Sequence, residues 1–134
     1  MKGFNCENVI FVLLKTRPVV AYVLVAISLV GAIAIPTGNP MFLERAIAIE
    51  IAFITLAVLT FLGYRRHLYA CIPLAAIVII GNSLAPPHVE IMTTFSKPFN
   101  AVVLITGGYI LQAALVVATV HELVAKRNAM QKVT

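Results

Sequence analysis

The chain has 134 residues, of which 61% are hydrophobic and 11% charged, and its formal net charge is +5. Soluble domains average roughly 45–50% apolar and about 25% charged residues, and a domain this small cannot hide such a surplus of apolar surface in its own core. This composition excludes an ordinary soluble domain and predicts a lipid environment. The basic residues lie at the ends of apolar stretches and are not interleaved with aromatic residues. They therefore do not predict a nucleic-acid partner.

Four apolar stretches predict four transmembrane helices, at residues 18–35, 46–63, 68–85 and 100–120. Each has about 18–21 residues, which at about 1.5 Å per residue matches the ~30 Å hydrocarbon core of a bilayer. The shorter run from Val9 to Leu14 is predicted to be an interfacial lead-in. The expected fold is therefore all-α, a four-transmembrane-helix bundle with short loops and a short interfacial N-terminal segment, forming one integral membrane domain over residues 1–134.

The connections between the predicted spans are short and carry turn signals. Thr37-Gly38-Asn39-Pro40 follows the first span, and Tyr64-Arg65-Arg66-His67 joins the second to the third. The third span stops at Pro86-Pro87. The connection from His88 to Pro98 is the longest, and two interpretations stay open for it: a short surface helix, or an irregular segment lying over the outer face.

Basic residues are distributed unevenly between the two sides of the predicted bundle. One side carries only Arg45 and Lys97. The other carries the remaining basic residues: Lys2, Lys15, Arg17, Arg65, Arg66, Lys126, Arg127 and Lys132. Because Lys and Arg concentrate in cytoplasmic loops, this bias predicts an integral protein of the plasma membrane with both termini in the cytoplasm.

Glu50 is the charged side chain that lies well inside a predicted span. Insertion scales put a carboxylate at the centre of a membrane helix at about 2.5–3.5 kcal/mol, so such a residue is a functional candidate. Its depth leaves two interpretations open, because it lies only about 6 Å along the helix from the outer end of the span. It either forms a structural hydrogen bond or reaches toward water, or it takes part in proton, ion or substrate chemistry.

Other polar residues are predicted to lie at a similar depth. Thr106, Tyr109 and Gln112 recur at every third position, which predicts one polar stripe on the fourth span. The predicted intramembrane polar cluster consists of Glu50, Asn82, Ser83, Thr106, Tyr109 and Gln112. Its members either hydrogen-bond between helices, at about 0.6 kcal/mol each, or form a ligand site.

No recognised catalytic or metal-binding motif is present in the sequence. His88 and Glu90 form a weak candidate pair for a metal, but two ligands do not make a closed site, and a solvated loop explains them better. The sequence has no GxSxG or HExxH motif and no histidine pairs within spans for a haem. We therefore predict no catalytic residues, no metal and no cofactor, while a bound lipid is compatible with the helices.

Two functions follow from these features. The first is a non-catalytic accessory subunit of a larger membrane complex of the respiratory, oxidase or monooxygenase type, because small loops leave little room for an independent active site. Its partners would be membrane lipids and other integral subunits in a hetero-oligomer. The alternative is a small proton- or ion-coupled transporter, acting as a homo-oligomer around Glu50.

Overall fold

A computed structural model describes residues 6–64 and 66–133, and every regular element in this part of the chain is helical. Lys2 and Arg65, which contribute to the predicted orientation, lie outside the described residues. A 3₁₀ turn at Pro40–Phe42 precedes the second helix, and a π-helical stretch at Thr106–Ile110, here called the π segment, separates the last two. The α-helices are α1 (Cys6–Thr37), α2 (Leu43–Phe61), α3 (Leu68–Leu84), α4 (Pro86–Thr94), α5 (Pro98–Ile105) and α6 (Leu111–Gln131).

Within residues 6–64 and 66–133, two to three helices are long and apolar enough to cross a membrane. Val19–Thr37 within α1 is one, and the continuous helix Pro98–Gln131 is the second. The third is α3 together with α4, if this pair, bent by 75°, is taken as one span. The predictions of a helical fold and of helices fit for a membrane are therefore confirmed, whereas the four-span bundle is not.

The predicted spans at residues 46–63 and 68–85, which correspond to α2 and α3, do not qualify as single membrane-spanning helices, and the reasons differ. The α2 helix is 19 residues long but contains Glu44, Arg45 and Glu50, which reduce its apolar character. The α3 helix is strongly apolar but has only 17 residues, or about 25 Å of helix, before the backbone turns extended at Ala85. The segment after that bend is the helix α4, so the connection from His88 onward begins as helix and not as irregular chain.

The predicted boundary of the first helix is wrong. The α1 helix begins at Cys6 and runs for 32 residues, so Val9 to Leu14 belong to it and are not a separate lead-in. Pro18 lies within this helix and not in its first turn. Apolar helices of this kind tolerate an interior proline when neighbouring groups satisfy the carbonyl that the ring leaves free.

The helices pack closely at one end of the bundle and separate at the other. The α1 helix contacts α2, α5 and α6, and α3 packs on α6, whereas α2 and α3 barely touch. The buried core lies near the link between α2 and α3, and we call this side the link end. Its largest members are Val20, Leu24, Phe53, Leu56, Leu68, Cys71 and Leu115. The opposite side, near residues 38–42 and 85–97, is the cleft end.

Two glycines in the π segment let neighbouring helices approach it. A Cβ at Gly107 would lie 2.7 Å from Cγ1 of Val30 on α1, and a Cβ at Gly108 would overlap the amide of Asn82 on α3. The π geometry is marked by the bond that the Leu111 N–H donates to the Thr106 carbonyl. The π segment therefore lies between α1 and α3 at backbone contact distance.

We expect Gly107→Ala to destabilise the protein by about 1–3 kcal/mol, because the β-branched Val30 side chain is stiff in a helix and the added methyl group overpacks the contact. Gly81→Ala is the matched control, since a Cβ at Gly81 meets nothing within 4 Å. It should leave stability unchanged or raise it by up to about 1 kcal/mol through helix propensity. Thermal unfolding of both variants in one detergent measures the difference, and equal midpoints would contradict the close contact.

Candidate functional site

A cleft of about 1060 Å³ opens at the cleft end, between α1 and α2 on one side and α3 and the π segment on the other. This volume is slightly above the range of about 300–1,000 Å³ that is usual for ligand pockets. The α2 and α3 helices barely touch, and both line the cleft. Its walls are mostly apolar and include Ile27, Val30, Ile49, Ile77, Val78 and Leu104.

Glu50 and Gln112 provide polar groups deep in this cleft. The Glu50 carboxylate lies against Gly31 of α1, where a Cβ would overlap it, and its buried Oε1 has no hydrogen-bond partner among the described residues. Gln112 is only 1% exposed. Its Nε2 donates to the Gly107 carbonyl at 3.0 Å, while its Oε1 is buried and has no partner in the described chain. Two acceptors therefore lack donors within the packed walls of the cleft, and neither oxygen is accessible to solvent.

The structure divides the predicted polar cluster. Glu50, Asn82 and Gln112 line the cleft, whereas Ser83, Thr106 and Tyr109 do not. Asn82 and Ser83 diverge because successive residues of a helix point about 100° apart. The expected stripe on the last helix is interrupted because the π segment changes the helical register between Thr106 and Gln112.

Ser83 and Tyr109 form a separate pair outside the cleft. The two hydroxyl oxygens are 3.0 Å apart. Since the Ser83 hydroxyl already donates to the Ile79 carbonyl at 2.8 Å, the Tyr109 hydroxyl donates to Ser83. This bond ties α3 to the π segment, so these two residues have a structural role here.

Charged and aromatic residues surround the mouth of the cleft. Arg45, Glu90 and Lys97 are exposed there. The rings of Phe42 and His88 lie 5.3 Å apart at an angle of 52°, and this contact joins the start of α2 to α4. The Asn100 amide also donates to the Thr37 carbonyl at 3.0 Å.

Within residues 6–64 and 66–133, no three His, Cys, Asp or Glu side chains are grouped as metal ligands, and His88 and Glu90 line the mouth without a third.

Several residues of the cleft were not predicted from the sequence. Gly31 gave no signal, since its role arises only from the approach of α1 to Glu50. The sequence predicted the turn at residues 37–40, which lies at the mouth of the cleft. It did not predict the ring contact between Phe42 and His88. Gly107 and Gly108 lie between Thr106 and Tyr109 in the sequence, and their lack of side chains is what lets Val30 and Asn82 approach.

A second polar group lies at the link end. Thr60 is 6% exposed, and its hydroxyl donates to the Leu56 carbonyl at 2.7 Å. The Thr60 oxygen lies 2.8 Å from His67 Nε2 and must accept from it, because the hydroxyl proton is already used. His67 is therefore assigned the tautomer with hydrogen on Nε2, and its buried Nδ1 has no partner among the described residues. Burial lowers the pKa of His67.

Comparison with known proteins adds no relative: no family model, no curated protein and no solved structure matches the chain. The function must therefore be inferred from the geometry of the cleft and of the link end.

We expect His67 to make stability depend on pH. Because its folded pKa lies below the ordinary value of 6.5, the unfolded chain binds a proton more readily. The stabilisation is therefore fully present above about pH 6.5 and is lost as the pH falls from there through the folded pKa. His67→Gln keeps an N–H for Thr60 but cannot titrate. Thermal unfolding between about pH 5 and 8 should show a shallower loss at low pH for this variant, and identical profiles would contradict the assignment.

Proposed function

We propose that this protein is a small proton- or ion-coupled membrane transporter that acts around Glu50 as a homo-oligomer. The observation that carries the proposal is the Glu50 carboxylate in the cleft, with a buried oxygen that no described group satisfies. A carboxylate within a membrane helix is costly, so its placement on the wall of a cavity favours a role in binding or transfer. The transporter, which the sequence predicted as the alternative function, is therefore proposed ahead of the accessory subunit.

The packing below the cleft supports this proposal. Phe53 lines the cleft and is 2% exposed, and with Leu24 and Leu115, both fully buried, it forms an apolar layer beneath it. Beyond that layer lie Thr60 and Thr119, two buried polar residues at the link end. Transporters of the alternating-access type place a binding site near the membrane midplane and open it to one side at a time. A cleft open at one end and sealed by apolar side chains at the other fits one such state.

The charge distribution supports an orientation for the transporter. In the proposed arrangement both termini are cytoplasmic, in the plasma membrane, and the cleft opens to the outside. Arg45 and Lys97 then lie at the outer mouth together with Glu90 and His88. Among the described residues that line the cleft, Glu50 is the titratable group away from this mouth, and it lies against Gly31 of α1. Glu50 is therefore the group that would carry a proton or a cation inward.

Glu50→Gln should reduce proton flux to the rate of protein-free liposomes, because an amide cannot exchange a proton with the solvent. Glu44→Gln is the matched control, since Glu44 lies exposed in the first turn of the same helix. It should keep the flux of the natural protein. The measurement is the decay of an imposed pH gradient in proteoliposomes containing a pH-sensitive dye, repeated with sodium and potassium gradients. Unchanged flux in Glu50→Gln, or equal losses in both variants, would contradict the proposal.

The second candidate is a non-catalytic accessory subunit of a larger membrane complex. It is favoured by the flank of α2 that no described helix covers, where exposed apolar side chains repeat along the helix at Ile47, Ile51, Ile54 and Val58. A helix with three charged residues and little contact with α3 would gain from a neighbour in another subunit. A second copy of this chain would cover the same flank in a homo-oligomeric transporter.

Extraction in a mild detergent, followed by native mass measurement, separates the two functions. A transporter of the proposed kind should appear as copies of this chain alone and should retain Glu50-dependent flux when purified. An accessory subunit should appear in a larger assembly with unrelated chains, and the isolated chain should give no flux. The second result, with the partners identified, would overturn the transporter proposal in favour of the subunit.

A further inference from the structure

The positive charge of the chain is concentrated at the link end. Among the described residues, this end has six basic residues and two acidic ones, Glu7 and Glu122. The basic residues are Lys15, Arg17, Arg66, Lys126, Arg127 and Lys132. The rest of the described chain has two basic residues, Arg45 and Lys97, against three acidic ones along α2 and α4. The surplus of basic residues therefore belongs to one end of the bundle.

Helix register places Arg66 at nearly the same level as Lys126 and Arg127. The buried Cys71 of α3 lies beside the buried Thr119 of α6. The two helices pack on each other and run in opposite directions, because α3 leads away from the link and α6 leads toward it. Arg66 lies about 7 Å beyond this contact and Lys126 about 10 Å, a difference smaller than one helical turn. These three residues form one group, here called the link-end basic cluster.

The link-end basic cluster is accessible and has interfacial residues beside it. Arg66 and Arg127 are exposed, and Lys126 is half-buried. Tyr64 and Tyr69, which lie on either side of Arg66 in the chain, are each 65% exposed. Tyrosine is enriched at the headgroup level of membranes, because its ring is apolar and its tip is polar. The cluster is therefore expected at headgroup depth, where the phosphate that it meets belongs to a phospholipid.

The acid at this level does not cancel the charge of the cluster. Glu122 lies one turn before Lys126 on α6 and is half-buried. Its Oε2 is buried, so part of this carboxylate is turned away from the solvent. A single carboxylate offsets at most one of three cations, and the cluster therefore keeps a positive field toward the headgroups.

We propose that the link-end basic cluster binds the headgroup of an anionic phospholipid. This inference goes beyond the proposed function and does not depend on it. Guanidinium groups bind phosphate oxygens through paired hydrogen bonds, and an ammonium group adds a further donor. Basic residues just outside the hydrocarbon core attract anionic lipids, and each one strengthens binding about fivefold. A zwitterionic headgroup carries its own cation, which the cluster repels, so the anionic lipid is preferred.

The test compares phosphatidylglycerol with phosphatidylcholine carrying the same acyl chains. The full chain is mixed with equal amounts of both lipids in a mild detergent, and native mass spectrometry counts the copies of each lipid that stay bound. We expect phosphatidylglycerol to be preferred about fivefold or more. Replacing Lys126 and Arg127 together by Gln should bring this ratio toward one. Replacing Arg45 and Lys97 together by Gln removes the same charge from the cleft end and should preserve the ratio.

Two further measurements test the cluster without the double variants. Arg66→Gln should lower the preference for phosphatidylglycerol, whereas Arg66→Lys, which keeps the charge, should retain most of it. On the natural protein, raising the salt from about 50 to about 500 mM should lower the preference, because salt screens exposed charges. This second measurement needs no substitution, so it decides the question even if a variant does not fold.

Equal numbers of the two lipids on the natural protein, or equal losses of preference in the two double variants, would overturn the proposal. Replacing chloride by inorganic phosphate at constant ionic strength should leave the bound phosphatidylglycerol unchanged. Its displacement would identify the cluster as a site for free phosphate and would overturn the lipid assignment. Lipid counts do not involve Glu50, so this proposal and the transporter fail separately.

Discussion

The contact between Val30 and Gly107 sets the geometry on which the cleft depends. It brings α1 to within backbone distance of the π segment. The π geometry also leaves the Gly107 carbonyl to the Gln112 side chain, which is why Gln112 can be almost fully buried. Because its nitrogen is committed to that carbonyl, its oxygen remains without a partner. The π segment is therefore where Val30 contacts Gly107 and where the Gln112 oxygen is left without a partner.

The two ends of the bundle differ in how closely their helices pack. At the link end, apolar side chains from α1, α2, α3 and α6 meet, and the polar Thr60 is satisfied by a backbone carbonyl and by His67. At the cleft end, α2 and α3 separate, and polar atoms are buried without donors. Buried acceptors without donors occur at both ends, His67 Nδ1 at the link end and oxygens of Glu50 and Gln112 at the cleft end, so the open volume distinguishes the cleft.

The transporter and subunit proposals use different parts of the same molecule. The first rests on the interior of the cleft around Glu50, and the second on the apolar flank of α2, where Ile51 and Val58 are exposed. In lipid, exposed apolar residues alone do not mark a binding surface, because lipid tails cover them as well as protein does. Lipid packing does not account for an ionisable group on the wall of the cleft, so the transporter proposal comes first.

The sequence by itself determined the helical class, the presence of helices apolar enough to cross a membrane and the candidacy of Glu50, because composition, apolar length and an isolated carboxylate are local properties of the chain. Only the tertiary structure decided which polar residues share a site. It placed Gly31 against Glu50, joined Ser83 to Tyr109, and kept Asn82 and Gln112 on the cleft. Those outcomes depend on helix register and on the separation of α2 from α3, and the spacing of residues along one chain specifies neither.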